Sequence, residues 1–113
     1  MKYLALVHAP DGAVTPDPAN VRDFVALRDE MRDAGVFLGA GQLQPVDSAT
    51  TIRFRGDEPL LTDGPFAELK EYVAGFVLLD CADLDEALRW AQRLPGARLG
   101  AAVEVRPLVS WPD

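Results

Sequence analysis

Tyr72-Val73-Ala74-Gly75-Phe76-Val77-Leu78-Leu79-Asp80 is apolar almost throughout, and by hydrophobic period alone it fits a helix. Its valines, its aromatic residues and the internal Gly75 favour a buried strand instead. That choice decides the fold, because the rest of the chain is arranged around it. Immediately before it runs Thr62-Asp63-Gly64-Pro65-Phe66-Ala67-Glu68-Leu69-Lys70-Glu71, a tight turn dense in acids with one lysine. Immediately after it, Asp83-Leu84-Asp85-Glu86 starts a helix: Asp83 stands at the cap, Glu86 follows three residues later as in a capping box, and both acids complement the helix dipole. Leu84, Ala87, Leu88, Ala91 and Leu94 give that helix its buried stripe. Arg89 and Arg93 fall in its last turns, and Pro95-Gly96 is expected to stop it.

Upstream, residues 2–8 read as a short apolar strand halted by Pro10-Asp11-Gly12; lacking strict alternation, it suits a central position. The Pro/Gly/Asp-rich piece from Pro10 to Pro18 is a loop. Asp17-Pro18 opens an amphipathic helix to about Ala34, with Val21, Phe24, Val25, Leu27 and Met31 on one stripe and Gly35 in the left-handed position beyond its end. Val36 to Leu43 is a second strand. Its Gly39 and Gly41 point either to a bend in the sheet or to a close approach by another group. Thr50 to Arg55 and Glu58 to Thr62 are strands joined by a Gly56-Asp57 turn, with Pro59 marking the second as an edge or a strand start. Ala101 to Leu108 is the last strand, Val103 and Val105 on one face and Glu104 and Arg106 on the other.

The order β-α-β-β-β-α-β contains a ferredoxin-like βαββαβ unit with an extra hairpin: an α+β fold with an antiparallel sheet and both helices on one face. Leu4, Leu6, Phe76 and Leu78, together with Glu104 and Arg106, are expected on the opposite, uncovered face. A face of that composition suits a homodimer in which two sheets enclose a cavity.

Composition narrows the function classes. The 113 residues make one domain. A net charge of −7 and a pI near 4.5, with basic residues scattered singly, disfavour nucleic acid. No apolar run approaches a membrane span, and the five-residue apolar run Tyr3–Val7 is too short for a signal peptide, so a cytoplasmic protein is expected. One cysteine, Cys81, excludes an internal disulfide, and with the single His8 it gives no zinc-site pattern. No cofactor is called for.

The residues Thr62 to Glu68 followed by Lys70-Glu71 resemble the signature of the DGPF-domain branch of the YCII-related family. Met1-Lys2-Tyr3-Leu4, Gly41-Gln42-Leu43-Gln44-Pro45, Thr50-Thr51-Ile52-Arg53, Asp83 to Ala87, Pro95-Gly96 and Val103 to Pro107 extend the resemblance over the whole chain. It implies a ferredoxin-like fold dimerising into an α+β barrel, similar to muconolactone isomerases. Some members act on hydroxylated or chlorinated aromatic intermediates. The better-studied branch carries a helix-borne histidine that falls near Phe24 in this chain, which therefore lacks it. Members of the DGPF type also accompany extracytoplasmic-function sigma factors, which implies a possible regulatory partner.

Each candidate residue has a functional and a structural explanation. Asp63, held on a rigid turn, is either a general base in the cavity or an Asx-turn residue accepting amides near Phe66 and Ala67. His8, at the end of the first strand, is an acid/base partner to Asp63 if it faces the cavity, and otherwise a structural or exposed histidine. Arg106 suits recognition of a carboxylate or phenolate with Glu104 beside it, or the two form an ion pair at the surface or dimer interface. Lys70 is an anion anchor or part of a solvated turn with Glu68 and Glu71. Cys81, in an apolar context, reads as inert core. Two functions compete: a cofactor-independent isomerase or lyase (dehydrochlorinase-like) moving a proton on a small cyclic or aromatic acid, and a non-catalytic ligand-binding or regulatory module.

Overall fold

A computed structural model describes residues 1–12 and 17–112, so the loop expected from Pro10 to Pro18 lies partly outside the described residues. In chain order the elements are β1 (Lys2–Ala9), α1 (Pro18–Asp33), β2 (Phe37–Gln42), β3 (Thr50–Arg55), β4 (Glu58–Asp63), β5 (Tyr72–Asp80), α2 (Leu84–Ala91), α3 (Pro95–Arg98) and β6 (Ala102–Pro107). The apolar stretch 72–80 is a strand. It lies inside a four-stranded antiparallel sheet of order β2-β5-β1-β6, while β3 and β4 form a separate two-stranded sheet. This is the ferredoxin-like α+β arrangement with an added hairpin.

The two helix starts follow the cap chemistry of their sequences. Asp17 accepts from the Ala19 amide at 2.8 Å, and Asp83 accepts from the Glu86 amide at 2.9 Å. Glu86 reaches back to the Ala82 amide at 3.0 Å, one residue earlier than the usual capping box. The stop of α2 differs from expectation. The helix ends at Ala91, and Pro95 opens the four-residue α3, because a proline at a first helical position gives up no needed donor. Arg93 therefore lies past the helix and pairs with Glu30 of α1. Val21 also departs from its expected stripe: it is exposed, and α1 buries only Leu27 and Met31 completely.

The core forms on one face of the sheet. Tyr3 and Ala5 of β1 and Val77 and Leu79 of β5 pack with Leu27, Met31, Ala87, Ala91 and Leu94, and Val7, Val103 and Val105 adjoin them. Strand alternation then sends Leu4, Leu6, Phe76 and Leu78 to the other face, which no helix covers. The two glycines of β2 have separate explanations. A register shift lies between Phe37 and Gly39, and a Cβ built on Gly41 would stand 2.9 Å from the Phe76 ring. Gly41 is thus the floor on which Phe76 lies, whereas Gly39 has open space around it.

The molecule is flat and drawn out. Its principal extents are 46 × 39 × 18 Å. Its radius of gyration is 15.9 Å, against about 13 Å for a compact chain of this length. A thickness of 18 Å holds the helix layer and the sheet and no third layer, since each layer adds roughly 10 Å. The β3–β4 hairpin therefore extends sideways and does not fold over the open face.

Candidate functional site

The antiparallel register of β1 with β6 sets Leu4 opposite Arg106, Leu6 opposite Glu104 and His8 opposite Ala102. His8 and Glu104 are thus diagonal neighbours on the uncovered face, within reach for long side chains. His8 Nε2 stands 3.0 Å from Glu104 Oε1, and the Arg106 Nε stands 3.5 Å from Glu104 Oε2. Glu104 is the hinge of a three-residue polar row, one oxygen toward the imidazole and the other toward the guanidinium. With the proton on Nε2, His8 donates to Glu104 and keeps the lone pair of Nδ1 free to take a proton.

Beside this row lie Leu4, Leu6, Phe76 and Leu78, half-buried on the same face. A polar row on an apolar floor is the composition of a small-molecule site. In the single chain, however, the side chains of His8, Glu104 and Arg106 remain 28%, 47% and 67% exposed. Ion pairs this open contribute on the order of 0–1 kcal/mol to stability. The fold therefore gains little from the row, and an explanation by stability alone is weak.

The other candidates stand elsewhere. Asp63 ends β4, opposite Thr50, is exposed, and makes no hydrogen bond or ion pair with His8, Glu104 or Arg106. Nor does it accept the amides of Phe66 or Ala67. The turn that follows is built from backbone: the Gly64 amide donates to Ala49 O at 2.7 Å, and Thr51 Oγ1 donates to Gly64 O at 2.9 Å. Gly64 has φ +104°, which explains why glycine follows Asp63. Downstream, Arg53 stacks over the Phe66 ring at 5.1 Å and the Leu69 amide donates to the Tyr72 hydroxyl at 2.9 Å. Lys70 is exposed and has no ion pair among the described residues. The described peptide bonds, Gly64–Pro65 included, are all trans.

The sequence pattern links Glu104 to Arg106 and offers Asp63 as the partner of His8, and the pairing of His8 with Glu104 is not among its expectations. A signal for it existed. In a ferredoxin-like order the first and last strands are neighbours, and both residues fall on the uncovered face. Only the register was missing. A cleft at the end of β1 and β5, lined by Ala9, Asp11, Pro45, Val46 and Tyr72, has about 40 Å³, room for a few waters and not for a cyclic acid. Cys81 is buried, and burial together with the nearby Glu86 and Asp80 carboxylates pushes its thiol up to about 11, which makes it a poor nucleophile.

The model of the YCII-related domain matches residues 1–112. The chain belongs to the YCII-related family. It is also 42% identical, over 96 residues, to the uncharacterized protein R00369 of Rhizobium meliloti (strain 1021), a match that covers 84% of this chain and 77% of that protein. Among the described residues no helix is long and apolar enough to cross a membrane.

Proposed function

We propose that this YCII-related protein moves a proton on a small cyclic or aromatic acid, without a cofactor, at the open face of its four-stranded sheet. The observation that carries the proposal is the 3.0 Å contact of His8 Nε2 with Glu104 Oε1, with Arg106 on the other oxygen. His8 is the acid/base group, its free Nδ1 taking a proton from one carbon or oxygen of the substrate and returning it to another. Glu104 holds the imidazole in one tautomer and favours the imidazolium that forms in between. Arg106 binds the substrate's carboxylate or phenolate, and Leu4, Leu6, Phe76 and Leu78 take its ring. Asp63 and Lys70, on the hairpin side, join this chemistry only through an assembly that carries them to an open face.

The proposal includes a homodimer, because a row this exposed needs a cover before its charges act strongly on a substrate. Sedimentation at micromolar concentration reads this directly, and a monomer there removes the enclosed cavity. The chemistry is tested by following solvent-deuterium incorporation into a panel of cyclic keto acids, lactones and hydroxybenzoates by NMR. Wild type should label at least one of them. His8→Gln should label it ~10²–10⁴-fold more slowly, the usual contribution of one acid/base group. Equal labelling by both proteins, or none across the panel, removes the acid/base assignment.

A second reading rests on the exposed apolar residues of the hairpin, Ile52, Phe54 and Leu61. In it the protein is a non-catalytic module whose hairpin docks another protein, an extracytoplasmic-function sigma factor being the partner that the DGPF-type resemblance suggests.

A further inference from the structure

His8, Glu104 and Arg106 stand in line. The β1–β6 register sets His8 opposite Ala102, so Arg106 lies four residues further along the strand direction, with Glu104 halfway between. At the rise of a β-strand the His8 and Arg106 backbones are about 13 Å apart along that direction. Both side chains lean toward the middle, and each meets a different oxygen of Glu104: His8 Nε2 the one at 3.0 Å, Arg106 Nε the other at 3.5 Å. The imidazole and the guanidinium therefore flank one carboxylate from its two sides.

The charges along this line admit a substrate acid in one orientation. Arg106 meets Glu104 through Nε, which leaves Nη1 and Nη2 to fork a second carboxylate. The middle of the line is closed to that carboxylate, because Glu104 already carries negative charge there and like charges repel. At the other end His8 Nε2 faces Glu104, and Nδ1 is the nitrogen left for the substrate. Leu6 stands directly opposite Glu104 in the register, and Leu4 opposite Arg106. A ring whose carboxylate is on Arg106 thus has its apolar floor on Leu6, between the two ends.

We infer that the substrate is a ring acid whose reacting carbon stands across the ring from its carboxylate. This orientation rests on the acid/base role proposed above for His8 and fixes which carbon His8 reaches. A carbon next to the one bearing the carboxylate stays at the Arg106 end, with Glu104 between it and the imidazole. A carbon on the far side of the ring is carried past Glu104 to Nδ1. In a ring ketone the C–H bond at that carbon breaks, its proton passes to Nδ1, and its electron pair moves into the carbonyl as an enolate. The imidazolium keeps its Nε2 proton on Glu104, and return of a proton from Nδ1 to carbon restores the ketone and the neutral ring.

One molecule tests this internally. 3-Oxocyclohexanecarboxylate has two exchangeable carbons beside its ketone: carbon 2, next to the carbon that bears the carboxylate, and carbon 4, across the ring from it. Deuterium incorporation at each is followed by NMR in deuterium oxide, and each rate is divided by its rate in buffer alone. Wild type should favour carbon 4 over carbon 2 by roughly tenfold or more, since a misplacement of about 1 Å can cost ~10²-fold in rate. Arg106→Gln, with the acid raised until labelling is measurable, should bring the two carbons to parity, because the ring is no longer held by one end. His8→Gln should lose the labelling at both. Equal labelling in wild type, or a preference for carbon 2, overturns the orientation and leaves the acid/base role of His8 standing. A preference for carbon 4 that survives Arg106→Gln does the same. An unlabelled 3-oxocyclohexanecarboxylate overturns the orientation even where another cyclic acid is labelled. Labelling by His8→Gln equal to wild type overturns both the orientation and the role of His8.

Discussion

The four-stranded sheet and the two-stranded hairpin use similar residues and end in opposite situations. In the sheet, Tyr3, Ala5, Val77 and Leu79 are buried beneath α1 and α2. In the hairpin, Ile52, Phe54 and Leu61 are equally apolar and stand in water. One region is covered by helices and the other is not. The candidate site lies between these conditions, on the side of the covered region that its own helices leave bare. The covered face holds the fold together, and the proposed site lies on the uncovered one.

Substitutions can break that contrast, the largest effect falling on the covered face. Leu79→Ala removes a side chain that is 1% exposed, and should lower unfolding free energy in urea by about 2–5 kcal/mol. A loss below about 1 kcal/mol would mean that the covered face is not the core. Gly41→Ala comes next. Its Cβ would meet the Phe76 ring at 2.9 Å, so the ring must shift, at a cost of roughly 1–3 kcal/mol. Gly39→Ala, with nothing within 4 Å, should fall well below that in the same measurement. Equal effects of the two would remove Phe76 from its place over Gly41.

Asp83→Ala removes the acceptor for the Glu86 amide and should cost about 1 kcal/mol, with Asp83→Asn retaining most of it. Cys81 adds an effect on the covered side that appears only at high pH. Its thiol titrates at about 11 in the fold against 9.0 in the free group, because burial and then the Glu86 charge disfavour the thiolate. The unfolded chain therefore releases this proton first. The contribution is fully present below pH 9 and is lost as pH rises from about 9 to about 11. Cys81→Ala should flatten that part of the stability profile, and an unchanged slope would deny the shift. Smallest of all, Phe54→Ser should change the unfolding free energy of the single chain by no more than about 0.5 kcal/mol, as an exposed position does. A change comparable to Leu79→Ala would show that the hairpin packs within its own chain.

Most of the fold was legible because its signals are local. Valine and aromatic content marked β5, Asp17-Pro18 and Asp83 with Glu86 marked the helix starts, and Gly56-Asp57 marked the hairpin turn. Three local signals misled. Pro95-Gly96 looks like a stop for α2 but opens α3, since proline suits a first helical turn as well as a region past a last one. Val21 keeps the helical spacing of the stripe but is exposed. Asp63 has turn chemistry, yet Gly64 and the backbone of Ala49 make that turn. The site was legible only by half. Glu104 and Arg106, two residues apart on one strand, share a face by alternation alone. The bond from His8 to Glu104 spans nearly the whole chain, and it depends on the β1–β6 register, which no local pattern encodes.

His8 is the chain's only histidine, so its ring nitrogens give one isolated set of NMR signals. Recording the long-range ¹H–¹⁵N spectrum of that ring while the protein is diluted, with sedimentation at the same concentrations, tests the central claim most directly. The account predicts a ring held with its proton on Nε2, in a signal lost on Glu104→Ala, that shifts in step with dissociation of the proposed dimer as the site opens to water. A ring protonated on Nδ1, or a signal indifferent to both dilution and Glu104→Ala, would contradict it.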